Sequence, residues 1–120
     1  TWEIKITSQI KNGGWDDFEK IDIRSGTILN AIPFEKAKKP AYQLEIDFGT
    51  LGVKKSSAQI THHYSVDELI GKQIIADVNF PPKQIANFFS ECLVLGVYDK
   101  ENQVILLQPT ISVENGSKIG

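Results

Sequence analysis

Ser65-Val66-Asp67-Glu68-Leu69-Ile70-Gly71 is the stretch that decides the fold of this chain. Ser65 is an N-cap residue, Glu68 stands three positions on to complete a capping box, and Gly71 closes a short helix. Strand patterns flank it. Lys54 to Thr61 reads as a strand more polar than the others, and Gln73 to Asn79 reads as an apolar one. Further out, Tyr42, Leu44, Ile46 and Phe48 alternate with Gln43, Glu45 and Asp47, a half-buried strand ending at Gly49. Ile23, Thr27, Ile28 and Leu29, with Gly26 among them, predict a long first strand with a glycine bend. Pro33 to Pro40 is a lysine-bearing loop. Cys92 to Val97 and Val104 to Leu107 supply a fifth and a sixth strand, joined by a turn over Asp99 to Gln103. Asn115-Gly116, between Val113 and Ile119, predicts a terminal hairpin turn. Five to six strands with one short helix between the third and the fourth predict an all-β OB-fold barrel with terminal extensions. That fold binds ligands on the face of strands two and three and on nearby loops.

The first fourteen residues read differently. Trp2, Ile4 and Ile6 alternate with Glu3 and Lys5 before the breaker Asn12-Gly13-Gly14, which predicts an edge strand or a peripheral arm. Residues 15–120 form the expected barrel domain. Trp15 to Lys20 starts it with one helical turn, where Asp16 and Asp17 favour the N-terminus.

Composition narrows the function. The chain has 120 residues, 41% hydrophobic and 23% charged, which fits one globular domain with a modest core. The net charge of −2 excludes a bulk polyanion binder, so any nucleic-acid contact needs a local basic patch and weakens with salt. Arg24 is the one arginine. Lysine offers point charges to phosphate rather than bidentate guanine readout, which argues against sequence-specific duplex reading. Cys92 stands alone, so no internal disulfide forms, and a reducing, cytoplasmic setting is expected. No run approaches the ~18 apolar residues of a membrane span, and no secretory signal is visible. The start at Thr1 and the lack of methionine suggest a trimmed N-terminus.

The chemistry concentrates in Asn79-Phe80-Pro81-Pro82-Lys83-Gln84-Ile85-Ala86-Asn87-Phe88-Phe89-Ser90-Glu91-Cys92-Leu93. Two prolines cannot donate to a ladder, so the strand before them stops and a stiff loop follows. The loop offers a carboxamide, an ammonium and aromatic faces, and it contains no nucleophile–base pair. A rigid loop loses little entropy on docking. Phe80, Phe88 and Phe89 line an apolar pocket for peptide side chains or stack on unpaired bases, or else Phe80 and one of the other two plug the barrel end; one core aromatic and at least one partly exposed one are expected. Asn79 and Ser90 cap the loop backbone or contact ligand. Ser57, Gln59 and Thr61 give the third strand a polar face suited to an extended peptide or to sugar and phosphate. Lys36, Lys38 and Lys39 in the first long loop and Lys54 and Lys55 at the start of the third strand are expected either to face one groove with Lys83, as a patch for nucleic-acid phosphates, or to form a solvated lysine face.

Other motifs read as structural. Adjacent His62 and His63 on a strand point to opposite faces, so they do not share a metal ion. Cys92 lies in an apolar run and reads as an inert buried thiol. No nucleotide-binding or hydrolase motif occurs, so no catalytic residue, metal or cofactor is expected.

Asp22-Ile23-Arg24-Ser25-Gly26-Thr27-Ile28, Gly71-Lys72-Gln73-Ile74-Ile75 and the Asn79–Leu93 stretch together resemble the tRNA-binding domain appended to methionyl- and tyrosyl-tRNA synthetases. Ala41 to Gly49, Lys55-Ser56-Ser57-Ala58-Gln59-Ile60-Thr61 and Val78-Asn79-Phe80-Pro81-Pro82 resemble, more narrowly, the CsaA-type export chaperones. The resemblance implies a homodimer without catalysis or membrane insertion. It implies either a chaperone for unfolded or presecretory polypeptides or a structure-selective tRNA binder. The peptide site would be Phe80, Pro81, Pro82, Phe88, Ser57 and Gln59. The tRNA site would be Lys39, Lys55, Asn79, Lys83 and Ser90. The chain departs from the family pattern where Ala86-Asn87-Phe88 replaces a glycine-bearing loop, with Asn87 the expected bearer of a positive φ. Cys92-Leu93 replaces the Gly/Ala-Met pair, and Gln84 makes the loop less basic. The last two changes weaken the RNA reading more than the peptide reading.

Overall fold

β1, Ile23–Pro33, is the strand around which the barrel is built. Its first half, Ile23 to Thr27, pairs with β4 (Gln73–Asp77), and its second half, Thr27 to Pro33, pairs with β2 (Tyr42–Asp47). The two ladders overlap only at Thr27, and just beyond it the register shift between Ile28 and Asn30 bends the strand, because an extra residue kinks the bulged side. The computed structural model describes residues 12–120, so the strand or arm expected over Trp2 to Ile6 lies outside the described residues.

The remaining elements follow the expected order. α1 is Trp15–Glu19, β3 is Val53–Ala58 and α2 is Val66–Leu69. In α2, Ser65 Oγ accepts the Glu68 N–H and the Glu68 carboxylate accepts the Ser65 N–H, so the capping box forms as read. Gly71 then adopts φ +88 to end it. β7 (Leu93–Val94) joins the far edge, and the main sheet runs β3-β2-β1-β4-β7, all pairs antiparallel. Ile28, Leu44, Ile46, Phe48 and Ile74 from the sheet, with Leu69 from α2, fill the interior with essentially no solvent exposure. This is an OB-fold barrel. No helix among the described residues is long and apolar enough to cross a membrane.

Four expectations need correction. Gly26 is not the bend. It sits where a Cβ would lie 2.7 Å from both Ile46 and Phe48, so it exists for close approach. The expected strand Cys92 to Val97 is two strands: β7 stays in the main sheet, and β8 (Gly96–Tyr98) turns out to pair with β9 (Val104–Leu106). Gly96 permits the exit, because a Cβ there would collide with Val104 and the Ile105 carbonyl. The Pro81–Phe89 loop contains a hairpin, β5 (Lys83–Ile85) against β6 (Phe88–Ser90). Its turn takes positive φ at Ala86, at +54, not at Asn87. Finally, Asn115-Gly116 does turn, but its flanks do not pair with each other. They dock on β1 instead: Gly116 N–H donates to Ser25 O and Ile119 N–H to Ile23 O.

Candidate binding groove

Asp77, which nothing in the strand pattern singles out, builds the loop. Its side chain is 1% exposed, and Oδ1 accepts the N–H of Asn79 at 3.0 Å and of Phe80 at 3.1 Å. That Asx turn starts the Pro81-Pro82 segment and was legible in principle as Asp-x-Asn before proline. Asn79 uses both ends of its carboxamide. Oδ1 accepts the Asp22 N–H at 2.9 Å and Nδ2 donates to Lys20 O at 2.8 Å, tying the loop to the α1–β1 junction.

Beyond the prolines, the β5–β6 hairpin pairs Lys83 with Ser90, Gln84 with Phe89 and Ile85 with Phe88. Phe88 is half-buried, edge-on to buried Phe34 at 5.3 Å between ring centres. Phe80 is 43% exposed and Phe89 55%, so no aromatic of this loop enters the core. The core aromatic expected from this loop is replaced by an edge contact, and nothing plugs the barrel end from it.

A groove of about 1220 Å³ opens between the hairpin, the end of β3 and β7. Ser57, Gln59, Phe80, Pro81, Lys39, Lys83 and Ser90 all line it. Its floor includes Ala58, Ile60 and Cys92, each buried. Lys55, Pro82 and Phe88 line a second, smaller recess of about 470 Å³ with Asn87, Phe89 and Glu91. The single basic groove expected is therefore divided. Lys39 and Lys83 stand on one cavity and Lys55 on the other, while Lys36, Lys38, Lys54 and Asn79 line neither.

Side chains hold the groove's walls together. Ser90 Oγ accepts the Ser57 N–H at 3.1 Å, and Glu91 Oε1 accepts the Lys55 N–H at 2.9 Å. Ser56 Oγ donates to Cys92 O at 2.9 Å. Burial pushes the Cys92 thiol up to about 12, so it is a neutral apolar group at the groove floor. The Thr61–His63 turn, rather than a strand, carries the two histidines. His62 lines the groove, and His63 Nε2 lies 2.7 Å from Asp99 Oδ2. The Gln103 and Glu101 N–H groups also bind Asp99. Led by the Gln103 contact, with His63 next, these bonds hold its carboxyl below the ordinary carboxylate value. Among the described residues, no group of three or more His, Cys, Asp or Glu side chains could hold a metal ion.

Solved structures share this architecture. The structure of chaperone CsaA from Bacillus anthracis superimposes with a TM-score of 0.87 at 51% identity, covering 92% of this chain and 100% of that one. CsaA chaperone protein from Picrophilus torridus gives 0.85 at 55% identity, covering 91% of this chain and 100% of that one. Among curated relatives, methionine–tRNA ligase from Porphyromonas gingivalis is 34% identical over 105 residues, which is 88% of this chain but 15% of the ligase. The chain thus spans about a seventh of the length of that relative. A family model described as "Putative tRNA binding domain" matches residues 23–118. With that match running from β1 to the docked C-terminal segment, the chain belongs to the tRNA-binding-domain family.

Proposed function

We propose that this protein is a non-catalytic, cytoplasmic chaperone of the CsaA kind that holds unfolded or presecretory polypeptides for export. The observation that carries this reading is the groove itself. Its floor is small and apolar, its rim is aromatic and proline-rich, and only two lysines flank it. Such a cavity suits side chains of an unfolded chain better than a phosphate backbone. The identity to CsaA chaperones, above half, supports the same reading. The exposed apolar residues Ile105, Leu107, Ile111 and Val113 support self-association as a homodimer. Two grooves per dimer would raise avidity for a long flexible client. Residues 15–120 are the working domain in this proposal, and residues 1–14 an appendage to it.

A second reading is favoured by the family description and by the lysines: structure-selective tRNA binding. Lys39, Lys83 and Lys55 would track phosphates from the two cavities, with Ser90 at the groove wall. Asn79 would act there by placing the loop, since its carboxamide is already engaged. Titration against an unfolded presecretory polypeptide and against bulk tRNA, at low and physiological salt, separates the two. Saturable polypeptide binding at physiological salt with tRNA binding lost is expected. Tight tRNA binding that survives physiological salt and exceeds binding to other polyanions would replace the chaperone reading with the RNA one.

A further inference from the structure

The barrel is not closed by backbone pairing. β3 and β7 are the two end strands of the sheet, and no ladder joins them. Along β3, alternate residues turn their backbone groups away from β2. The first of these after Val53, Lys55, donates its N–H to Glu91 Oε1, and its carbonyl accepts the Glu91 N–H. The next, Ser57, gives its N–H to Ser90 Oγ. From there, among the described residues, the seam is open: by the same alternation the Ser57 carbonyl faces away from β2, and the N–H and carbonyl of Gln59, just past the end of β3, make no hydrogen bond. Both residues line the groove, whose opposite wall carries Leu93 and Val94. An unpaired strand edge facing an open groove is a template for one more strand.

We propose that polypeptide clients bind by strand addition: an extended segment lies in the groove along the end of β3 and pairs its backbone with the Ser57 carbonyl and with Gln59. The proposal rests on the polypeptide-binding reading above and names its mode. The two-residue spacing of the free groups matches an extended main chain, in which donor and acceptor recur with that period. The floor of Ala58, Ile60 and Cys92 accepts apolar side chains from every second residue of the client. Lys39 and Lys83 on the rim disfavour basic residues, so the preferred segment is apolar with neutral or acidic neighbours. This mode selects for unfolded chains without reading sequence. A folded client has already paired its backbone amides, and an unfolded one has not.

The test uses a short synthetic peptide of alternating valine and serine with one glutamate, and two versions N-methylated at alternate amides in opposite phases. Affinity is measured with the full chain, together with hydrogen exchange at the Gln59 amide. The parent peptide is expected to bind and to slow Gln59 exchange by about tenfold or more. Methylation in one phase is expected to weaken binding by about tenfold, and in the other to leave it unchanged. A parent peptide that does not bind, equal affinities for both methylated versions, or an unprotected Gln59 amide would overturn strand addition. An unfolded presecretory polypeptide run in parallel then isolates the cause. If it still binds, only the mode is wrong, and if it does not, the proposed function falls with it.

Discussion

Ser90 Oγ accepts the backbone N–H of Ser57 at 3.1 Å across the seam where the barrel fails to close. A side chain there does what a neighbouring strand would otherwise do. Ser90→Ala leaves that N–H without its partner, while Cys92 O keeps its bond from Ser56 Oγ. The expected cost is about 1–2 kcal/mol, the penalty for one unsatisfied backbone donor. Urea unfolding reads it directly. A variant as stable as the parent would mean that water already satisfies Ser57.

Gly26 faces Ile46 and Phe48, both wholly buried, at distances that leave no room for a methyl group. Neither neighbour is the loose end of a flexible chain. Gly26→Ala therefore forces the β1–β2 interior apart, and about 1–3 kcal/mol of destabilisation is expected from overpacking. Gly13→Ala, with nothing near its added Cβ, is the control and should unfold like the parent.

These two positions mark what can be read from sequence and what cannot. The Tyr42–Phe48 alternation and the Ser65–Glu68 capping box are local patterns, and both formed as read. That Phe80, Pro81, Lys83 and Ser90 line one groove with Ser57 and Gln59 was expected only through the family that the motifs resemble, because no local pattern relates the β5–β6 hairpin to the end of β3. The role of Gly26 depends on Ile46, on β2, and on Phe48, just past its end. The β7–β8 break depends on Gly96 meeting Ile105. The β5–β6 turn was hidden because Ala86, a residue with no preference for positive φ, carries it. Asp77 reads as one polar position in an apolar strand unless the Asp-x-Asn spacing ahead of Pro81 is noticed, and its Oδ1 is the acceptor that shapes the loop.

Phe80 and the two rim lysines separate the competing functions. Phe80 is 43% exposed, so Phe80→Ala should leave stability within about 0.5 kcal/mol of the parent. Polypeptide affinity should fall by about tenfold through lost apolar contact. Lys39→Glu with Lys83→Glu should abolish any tRNA binding and leave apolar peptide binding nearly intact. Lys55→Glu by itself tests the second cavity, and joined to the other two it gives a triple variant. Undiminished tRNA binding in the triple variant would exclude these lysines as an RNA surface. Undiminished polypeptide binding in Phe80→Ala would remove the rim aromatic from the site.

Asp99 makes the β8–β9 turn sensitive to acid. Its Oδ1 accepts the Glu101 and Gln103 N–H groups, each at 2.9 Å, and Oδ2 meets His63. The folded carboxyl therefore titrates below its unfolded value of 3.8. A depressed carboxyl contributes stability above the unfolded value and loses it as pH falls through the folded one. Asp99→Asn keeps an acceptor for the turn but cannot titrate. Its stability should fall less steeply than the parent's below pH 3.8, and parallel acid-unfolding curves would refute the assignment.

Cys92 should act in the opposite direction, at high pH. The thiol is 5% exposed, and burial raises it from 9.0 to about 12. Below pH 9 both folded and unfolded chains hold the proton, and the group contributes no pH dependence. Between 9.0 and about 12 the unfolded chain loses the proton and the folded one keeps it, so stability declines by about 1.4 kcal/mol per pH unit from this group. Cys92→Ala should flatten that decline, although the lost side chain lowers stability overall. The same shift leaves far less thiolate at neutral pH than a free cysteine has. Alkylation of the native protein by iodoacetamide should accordingly be much slower than that of the urea-unfolded chain. Because Cys92 lies on the groove floor, a saturating polypeptide should slow it further. Fast labelling of the native protein at neutral pH would show that the groove floor opens to solvent and that the thiol is not the inert wall its burial makes it.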